Sequence, residues 1–224
     1  ALGDGLLVLE DPEIPLRGLA SKPQGATYYE LLLHSQTGSD RPVAEIKTMI
    51  AEHFDQEYLI FTDILTKTPS LAALPYDSLL EEYFPLQNAT QMLADLQVRM
   101  SDDFPPLNSE NKKDALPAVS VKTVSESLEN YCAPAFYLTP PLDDTSQNAI
   151  YINEKSTPAG LELYTTLAHE GYPGHMYQSV YHNRAVMEEK PDAISNVREL
   201  LWYGGYLEGW ARYVVFISYD YASQ

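Results

Sequence analysis

The chain has 224 residues, of which 45% are hydrophobic and 21% charged, a balance typical of a globular protein with a buried core. Its 14 basic and 32 acidic residues give a formal net charge of −18, which argues against nucleic acid as a partner because phosphate repulsion would be uncompensated. The single cysteine, Cys132, excludes a disulfide framework, and no apolar run reaches the ~18 residues of a membrane span.

Residues 1–24 are rich in proline and are predicted to form an extended lead-in. Hydrophobic periodicity then predicts helices over residues 26–35, 41–67, 77–84 and 88–104. Gly38 is expected to end the first helix, and the second is long and amphipathic. Asp77 and Asn88 are suitable N-caps for the last two, because their side-chain oxygens can accept from the free N–H groups of a first turn.

After residue 105 the sequence changes to short runs rich in Val, Tyr and Ile. The runs "AVSVKTV", "AFYLT" and "NAIYIN" predict strands, and "PPLDDTSQ" predicts a hairpin loop between the last two. The expected fold class is therefore mainly α (α+β), with a small inserted β-sheet or hairpin near residues 117–153. We expect "NAIYIN" to be an exposed edge strand that can pair with an extended peptide. Helices should resume at Ser156 or Thr157, where a hydroxyl can cap the helix before Pro158.

The segment "LAHEGYPGHMYQ" differs from the zinc-binding His-Glu-x-x-His motif because its histidines, His169 and His175, are six residues apart. In a continuous helix this spacing turns them about 120° apart, so they could not share an ion. Pro173 cannot donate to the carbonyl of His169, and Gly174 permits a backbone angle that other residues avoid, so the helix must break. A wide turn that absorbs two residues would bring the histidines together. Alternatively, one helix ends at Gly171 and another begins near His175, with both histidines on the surface.

The helix that contains His169 has an apolar stripe opposite a polar one, so it can present His169 and Glu170 to a cleft. A later helix, "NVRELLWYGGYLEGWARYVVFISY", carries Glu208 on a different side from its aromatic stripe. Two glycines beside Glu208 would allow another helix to approach closely. We therefore predict Glu208 as a third metal ligand, with Glu199 as the lesser candidate. The alternative is an ordinary surface ion pair between Glu208 and Arg212.

Two neutral imidazoles and one carboxylate would leave one position of a tetrahedral Zn²⁺ open for water. The metal lowers the pKa of that water toward ~7, and Glu170, as general base, would accept its proton and pass it to the leaving amine. The candidate donors to the developing oxyanion are Tyr137, Tyr172, Tyr203 and Tyr213. The other histidines are expected to be surface or core residues, namely His34, His53 and His182.

The stretches "AFYLTPP", "NAIYIN", "LAHEGYPGHMYQ" and "LEGWARY" together resemble the bacterial domain-of-unknown-function 885 family, regarded as zinc metallopeptidase-like proteins related to the gluzincins. The family's hallmark is a His-Glu-x-x-Pro-Gly-His segment followed later by Glu-Gly-Trp-Ala. The resemblance implies His169, His175 and Glu208 as zinc ligands and Glu170 as general base in a mostly helical fold. Members commonly have a second histidine after Pro-Gly-His, whereas this chain has Met176.

We therefore expect residues 1–224 to form a single metallopeptidase-like domain, with the metal-site helices in residues 157–224. The first hypothesis is a zinc-dependent hydrolase that binds one zinc ion and cleaves a peptide substrate. The alternatives are a catalytically inactive helical binding or scaffold protein with a vestigial or structural metal site, and a zinc amidohydrolase that acts on a non-peptide amide. The chain stops within an apolar helical pattern without a stop signal, which indicates a fragment of a longer chain. Both a cytoplasmic and an exported location stay open.

Overall fold

A computed structural model of the chain describes residues 18–73, 84–86, 88–107, 117–141, 144–189 and 203–222. The chain divides into two compact units, Ala1–Ile60 and Phe61–Gln224, with the boundary inside a long helix. The organisation of residues 1–224 as a single domain stays a prediction. Within the described residues, no helix combines the length and the apolar character that a membrane crossing requires.

The first unit contains a 3₁₀ helix, Leu19–Ser21, and the helix α1, Gly25–Thr37. As predicted, α1 ends at Gly38, whose φ of 64° is left-handed and whose N–H donates to the carbonyl of His34 at 2.8 Å. The predicted extended lead-in is described only from residue 18 onward, and there the prediction is wrong, because Leu19–Ser21 form a 3₁₀ helix closed by local backbone hydrogen bonds. Helix α2, Val43–Lys67, matches the long helix that the periodicity predicts, and it crosses the boundary between the two units.

The second unit contains four further α-helices in the described residues, namely α3, Ala89–Arg99; α4, Gly160–Glu170; α5, His175–Glu189; and α6, Gly204–Ala222. Short 3₁₀ helices cover Pro69–Ala73 and Met100–Asp102. The predicted cap of α3 is confirmed, because the Asn88 Oδ1 accepts from the N–H groups of Thr90 and Gln91 at 2.9 and 3.2 Å. The predicted helix over residues 77–84, with its cap Asp77, lies outside the described residues except for Phe84.

A three-stranded sheet forms within residues 117–153, as predicted. Its strands are β1, Ala118–Thr123; β2, Ala135–Leu138; and β3, Gln147–Ile152. The order is β1-β3-β2, with β1 parallel and β2 antiparallel to β3. The prediction that "NAIYIN" is an exposed edge strand is wrong, because β3 is paired on both sides. In this order the two edge strands are β1 and β2.

Helix α4 lies at the centre of the second unit, where it packs against α3, α6 and β2. Its residues Tyr164, Leu167 and Ala168 are fully buried, together with Met92 of α3 and Ile150 of β3. Each large side chain of this kind stabilises the fold by roughly 1.5–3 kcal/mol relative to an exposed one. Helix α4, which carries His169, is therefore held in place by its buried apolar side.

The start of α4 differs from the prediction of a hydroxyl cap at Ser156 or Thr157. Helix α4 begins at Gly160, and its N-cap, Ala159, provides no side-chain hydrogen bond. The Thr157 hydroxyl instead donates to the carbonyls of Asn153 at 2.6 Å and Pro134 at 2.9 Å. The threonine therefore fastens the chain to the end of β3, and it is not free to cap a helix.

Candidate metal centre

The Pro-Gly segment separates two helices, since α4 ends at Glu170 and α5 begins at His175. The break follows the second alternative, in which one helix ends and another begins, but the histidines do not lie on separate surfaces. The rings of His169 and His175 have their centroids 4.7 Å apart and are nearly perpendicular. The turn itself brings the two imidazoles together.

Gly174 is required in this turn because a side chain at this position would not fit. It does not have a positive φ, so the prediction of an unusual backbone angle is wrong. A Cβ built at Gly174 would lie 1.8 Å from the carbonyl oxygen of His169 and 2.3 Å from that of Ala168. The start of α5 therefore runs against the last carbonyls of α4, which only glycine allows.

Helix α6 is tied to the same turn by Trp210. Its indole N–H donates to the carbonyl of Pro173 at 2.8 Å, and its ring stacks on Tyr177 of α5. In the sequence Trp210 belongs only to the aromatic stripe of this helix, whereas the structure shows that it fixes α6, two residues after Glu208, to the turn between the histidines. The only sign of this role in the sequence is that Trp210 lies two residues after Glu208.

Glu208 lies opposite both histidines. Its Oε2 is 3.6 Å from the His169 Nε2, and its Oε1 is 3.6 Å from the His175 Nε2. The three residues each offer one ligand atom, and these atoms all lie within 4.8 Å of one another. The alternative ion pair with Arg212 is not formed within 4.0 Å in the described part of the chain. Glu199 lies outside the described residues.

This donor set fits a small tetrahedral cation. Zinc with ligands at about 2.0–2.1 Å separates its ligand atoms by roughly 3.3–3.4 Å. Each Glu208 oxygen lies 3.6 Å from a different imidazole nitrogen, and the three ligand atoms lie within 4.8 Å of one another, so the group would have to contract around the ion. Burial lowers the pKa of both His169 and His175. The charge of a protonated His175 lowers the pKa of His169 further. Both rings are therefore favoured in the neutral form that binds metals.

Glu170 lies beside the three ligands with a side chain that is only 12% exposed. Its Oε2 accepts a hydrogen bond from the Tyr137 N–H at 2.8 Å, and its Oε1 is 3.9 Å from the His169 Nε2. Burial raises the pKa of Glu170 to about 7, with a further contribution from the charge of Glu208, while the Tyr137 N–H opposes the shift. A carboxyl with a pKa near neutrality is suited to both accepting and releasing a proton.

The four residues border a cleft of about 360 Å³. Of the four tyrosines proposed as oxyanion donors, Tyr137 lines this cleft, and its hydroxyl donates to the Asn148 Oδ1 at 2.8 Å. Tyr172 is buried beside a different, apolar cavity, Tyr213 is 57% exposed, and Tyr203 stacks on Tyr206. Sequence reasoning missed Ser179, which lines the cleft one turn after His175.

Met176, at the position where family members commonly have a second histidine, is fully buried in the core. Its side chain does not line the cleft, so the substitution removes no group from the candidate centre. Among the described residues, neither His34 nor His53 nor His182 belongs to a group of potential metal ligands. His53 is exposed, as expected of a surface residue, whereas His34 and His182 are half-buried.

Comparisons with known proteins agree with the family to which the sequence is similar, and they assign no activity to it. No curated protein matches the chain. A crystal structure from Colwellia psychrerythraea, described as a "putative lipoprotein", is similar with a TM-score of 0.66 at 18% sequence identity, which shows a shared fold. The match covers 91% of this chain but 36% of that one, so the chain spans little more than a third of its length. The family profile described as "Bacterial protein of unknown function (DUF885)" matches residues 7–215, and the chain therefore belongs to the DUF885 family.

Proposed function

We propose that this protein is a gluzincin-like, zinc-dependent hydrolase that cleaves peptide bonds. In this proposal His169, His175 and Glu208 hold one Zn²⁺, and Glu170 is the general base. The observation that carries it is the grouping of three donor atoms within 4.8 Å of one another, next to a buried carboxyl whose pKa is raised to about 7. Two neutral imidazoles and one carboxylate are the ligand set of hydrolytic zinc sites that keep one position open.

The chain's own residues supply the proton transfers. Zinc at this position would polarise a carbonyl oxygen and lower the pKa of a water ligand toward ~7. Glu170 accepts the proton of the attacking water at Oε1, because Oε2 is held by the Tyr137 N–H. The protonated carboxyl then donates to the leaving nitrogen. Burial favours this neutral form of Glu170, which supports a role in holding the proton between the two proposed steps.

The edge strand β2 supports a peptide as the substrate. Ala135, Phe136 and Tyr137 of β2 line the cleft. The Tyr137 N–H points away from β3 toward Glu170, so in the alternation of an antiparallel pair the carbonyls of Ala135 and Tyr137 also point outward. These carbonyls can accept hydrogen bonds from an extended peptide that lies along β2, next to the candidate centre.

The test is zinc analysis combined with peptide hydrolysis. We expect near-stoichiometric zinc in the purified protein and loss of that zinc in Glu208→Ala. The matched control Glu162→Ala should keep its zinc, because Glu162 lines a neighbouring cleft without belonging to the ligand group. A well-folded protein that binds no zinc at neutral pH would contradict the proposal.

Glu170→Gln tests the general base. It should keep zinc, since a Gln side chain can still accept from the Tyr137 N–H, while cleavage of a peptide library falls by about 10²–10⁴-fold. Undiminished cleavage by Glu170→Gln would exclude Glu170 as the base. Cleavage of non-peptide amides alone would indicate the amidohydrolase alternative, and zinc binding without turnover of either class would indicate the binding-protein alternative.

A further inference from the structure

A second cleft, of about 500 Å³, borders the candidate metal centre. It shares His169 and Glu170 with the first cleft, so a molecule bound at these residues has room to extend in two directions. The second cleft is lined on one side by α4 and on the other by α6, including Arg212, Val215 and Tyr219. The residues that line this cleft would therefore contact the part of a substrate on one side of the cleaved bond.

Arg212 is the one basic side chain among the described residues that line this cleft. It lies one turn after Glu208 on α6, and no carboxylate of the described chain approaches its guanidinium within 4.0 Å. Glu208 is directed to the histidines, and Glu162, which lines the same cleft, forms no ion pair with Arg212 at that distance. In a chain with a net charge of −18, a cation without a carboxylate partner beside the candidate centre is unexpected.

Two contacts locate the guanidinium. Its central carbon lies 5.1 Å from the ring centroid of Phe216, within the distance of a cation–π contact. It also lines the cleft that includes His169, which places Arg212 near the candidate ligand. Arg212 is thus an exposed, charged side chain that contacts Phe216 and lies close to the residues that would hold the metal.

We propose that Arg212 binds a free carboxylate of the substrate in this second cleft. The substrate class is then a short peptide with a carboxylate on one side of the cleaved bond, either its C-terminal carboxylate or an acidic side chain. An arginine is suited to this role because its planar fork matches a carboxylate with two parallel hydrogen bonds. That the bound molecule is a substrate rests on the proposed function, but the binding of a carboxylate by Arg212 does not depend on zinc.

The experiment measures binding to the zinc-free protein by calorimetry, without hydrolysis. The probes are N-acetyl-Ala-Ala, its C-terminal amide, and the amide of N-acetyl-Ala-Glu. We expect at least one of the two carboxylate probes to bind about tenfold more tightly than the neutral amide. Preference for the first would identify the C-terminal carboxylate as the ligand, and preference for the third would identify the acidic side chain.

Arg212→Gln should bind all three probes equally weakly, while the matched control Lys122→Gln, a cation on strand β1 that lines neither cleft, should keep the preference. Arg212→Lys keeps the charge without the fork and should lose part of the preference, which tests the proposal if Arg212→Gln does not fold. Equal affinity of the wild type for all probes, or an unchanged preference in Arg212→Gln, would overturn it. Because zinc is absent, either result is independent of whether the protein is a hydrolase.

Discussion

Substituting Gly174 by alanine tests whether the turn between α4 and α5 creates the candidate centre. The new methyl group would meet the carbonyl oxygens of His169 and Ala168 at 1.8 and 2.3 Å, whereas real Cβ atoms essentially never come closer than 3.0 Å. The shortfall at His169 is thus 1.2 Å, and it must be taken up by backbone, since neither oxygen belongs to a side chain that can rotate.

A displacement of this size cannot be reconciled with a shared ion. The His175 Nε2 is 3.6 Å from the Glu208 Oε1, and zinc tolerates ligand distances only within about 0.2 Å of their usual values. We expect Gly174→Ala to weaken zinc binding by roughly 10–100-fold or more and to lower the free energy of unfolding by about 1–3 kcal/mol. The measurements are a zinc titration against a competing chelator and urea unfolding of the zinc-free protein.

The matched control is Gly209→Ala, next to Glu208 on α6. A Cβ at Gly209 meets nothing within 4 Å. Replacing a glycine inside a helix should stabilise the protein by roughly 0.5–1 kcal/mol, and zinc binding should be unchanged. If Gly174→Ala unfolds like the wild type and binds zinc with wild-type affinity, the steric account of the turn is refuted.

Two further predictions concern the partners of the centre. Trp210→Phe removes the hydrogen bond to the Pro173 carbonyl and should lower the free energy of unfolding by about 1–2 kcal/mol, with weaker zinc binding; an unchanged urea midpoint would contradict this role. Burial raises the pKa of Glu170 from 4.5 to about 7, so the folded zinc-free protein keeps this proton to higher pH than the unfolded chain. The stability of the wild type relative to Glu170→Gln should therefore fall by up to about 3 kcal/mol between pH 4.5 and 7, and a difference that does not change with pH would exclude the shift.

The sequence predicted those elements whose signals are local. Gly38 and Asn88 end and begin helices through hydrogen bonds to residues within one turn, and both predictions are confirmed. The start of α4 was predicted wrongly because the Thr157 hydroxyl is used by Pro134, which is distant in the chain. The position of β3 inside the sheet likewise depends on pairing with β1, which no property of the β3 sequence reveals.

In the candidate centre, too, the features with a local signal were predictable and those that depend on distant contacts were not. The residue types and the Pro-Gly break predicted which side chains to consider, because a helix cannot continue through Pro173. The reason for Gly174 was not predictable, since it depends on how closely α5 approaches the end of α4. The partner of Glu170 was also not predictable, because it is a backbone N–H of β2, and backbone donors leave no trace in residue type.

Under the proposed function, that backbone hydrogen bond would couple substrate binding to the basicity of Glu170. The N–H of Tyr137 belongs to the strand along which a bound peptide would lie, and its acceptor is the carboxylate that would take up the proton. Pulling β2 away from α4 would remove a donor that holds the pKa of Glu170 down, and the carboxylate would become more basic. If a peptide bound along β2 displaced the strand, the basicity of Glu170 would therefore change through this single 2.8 Å contact.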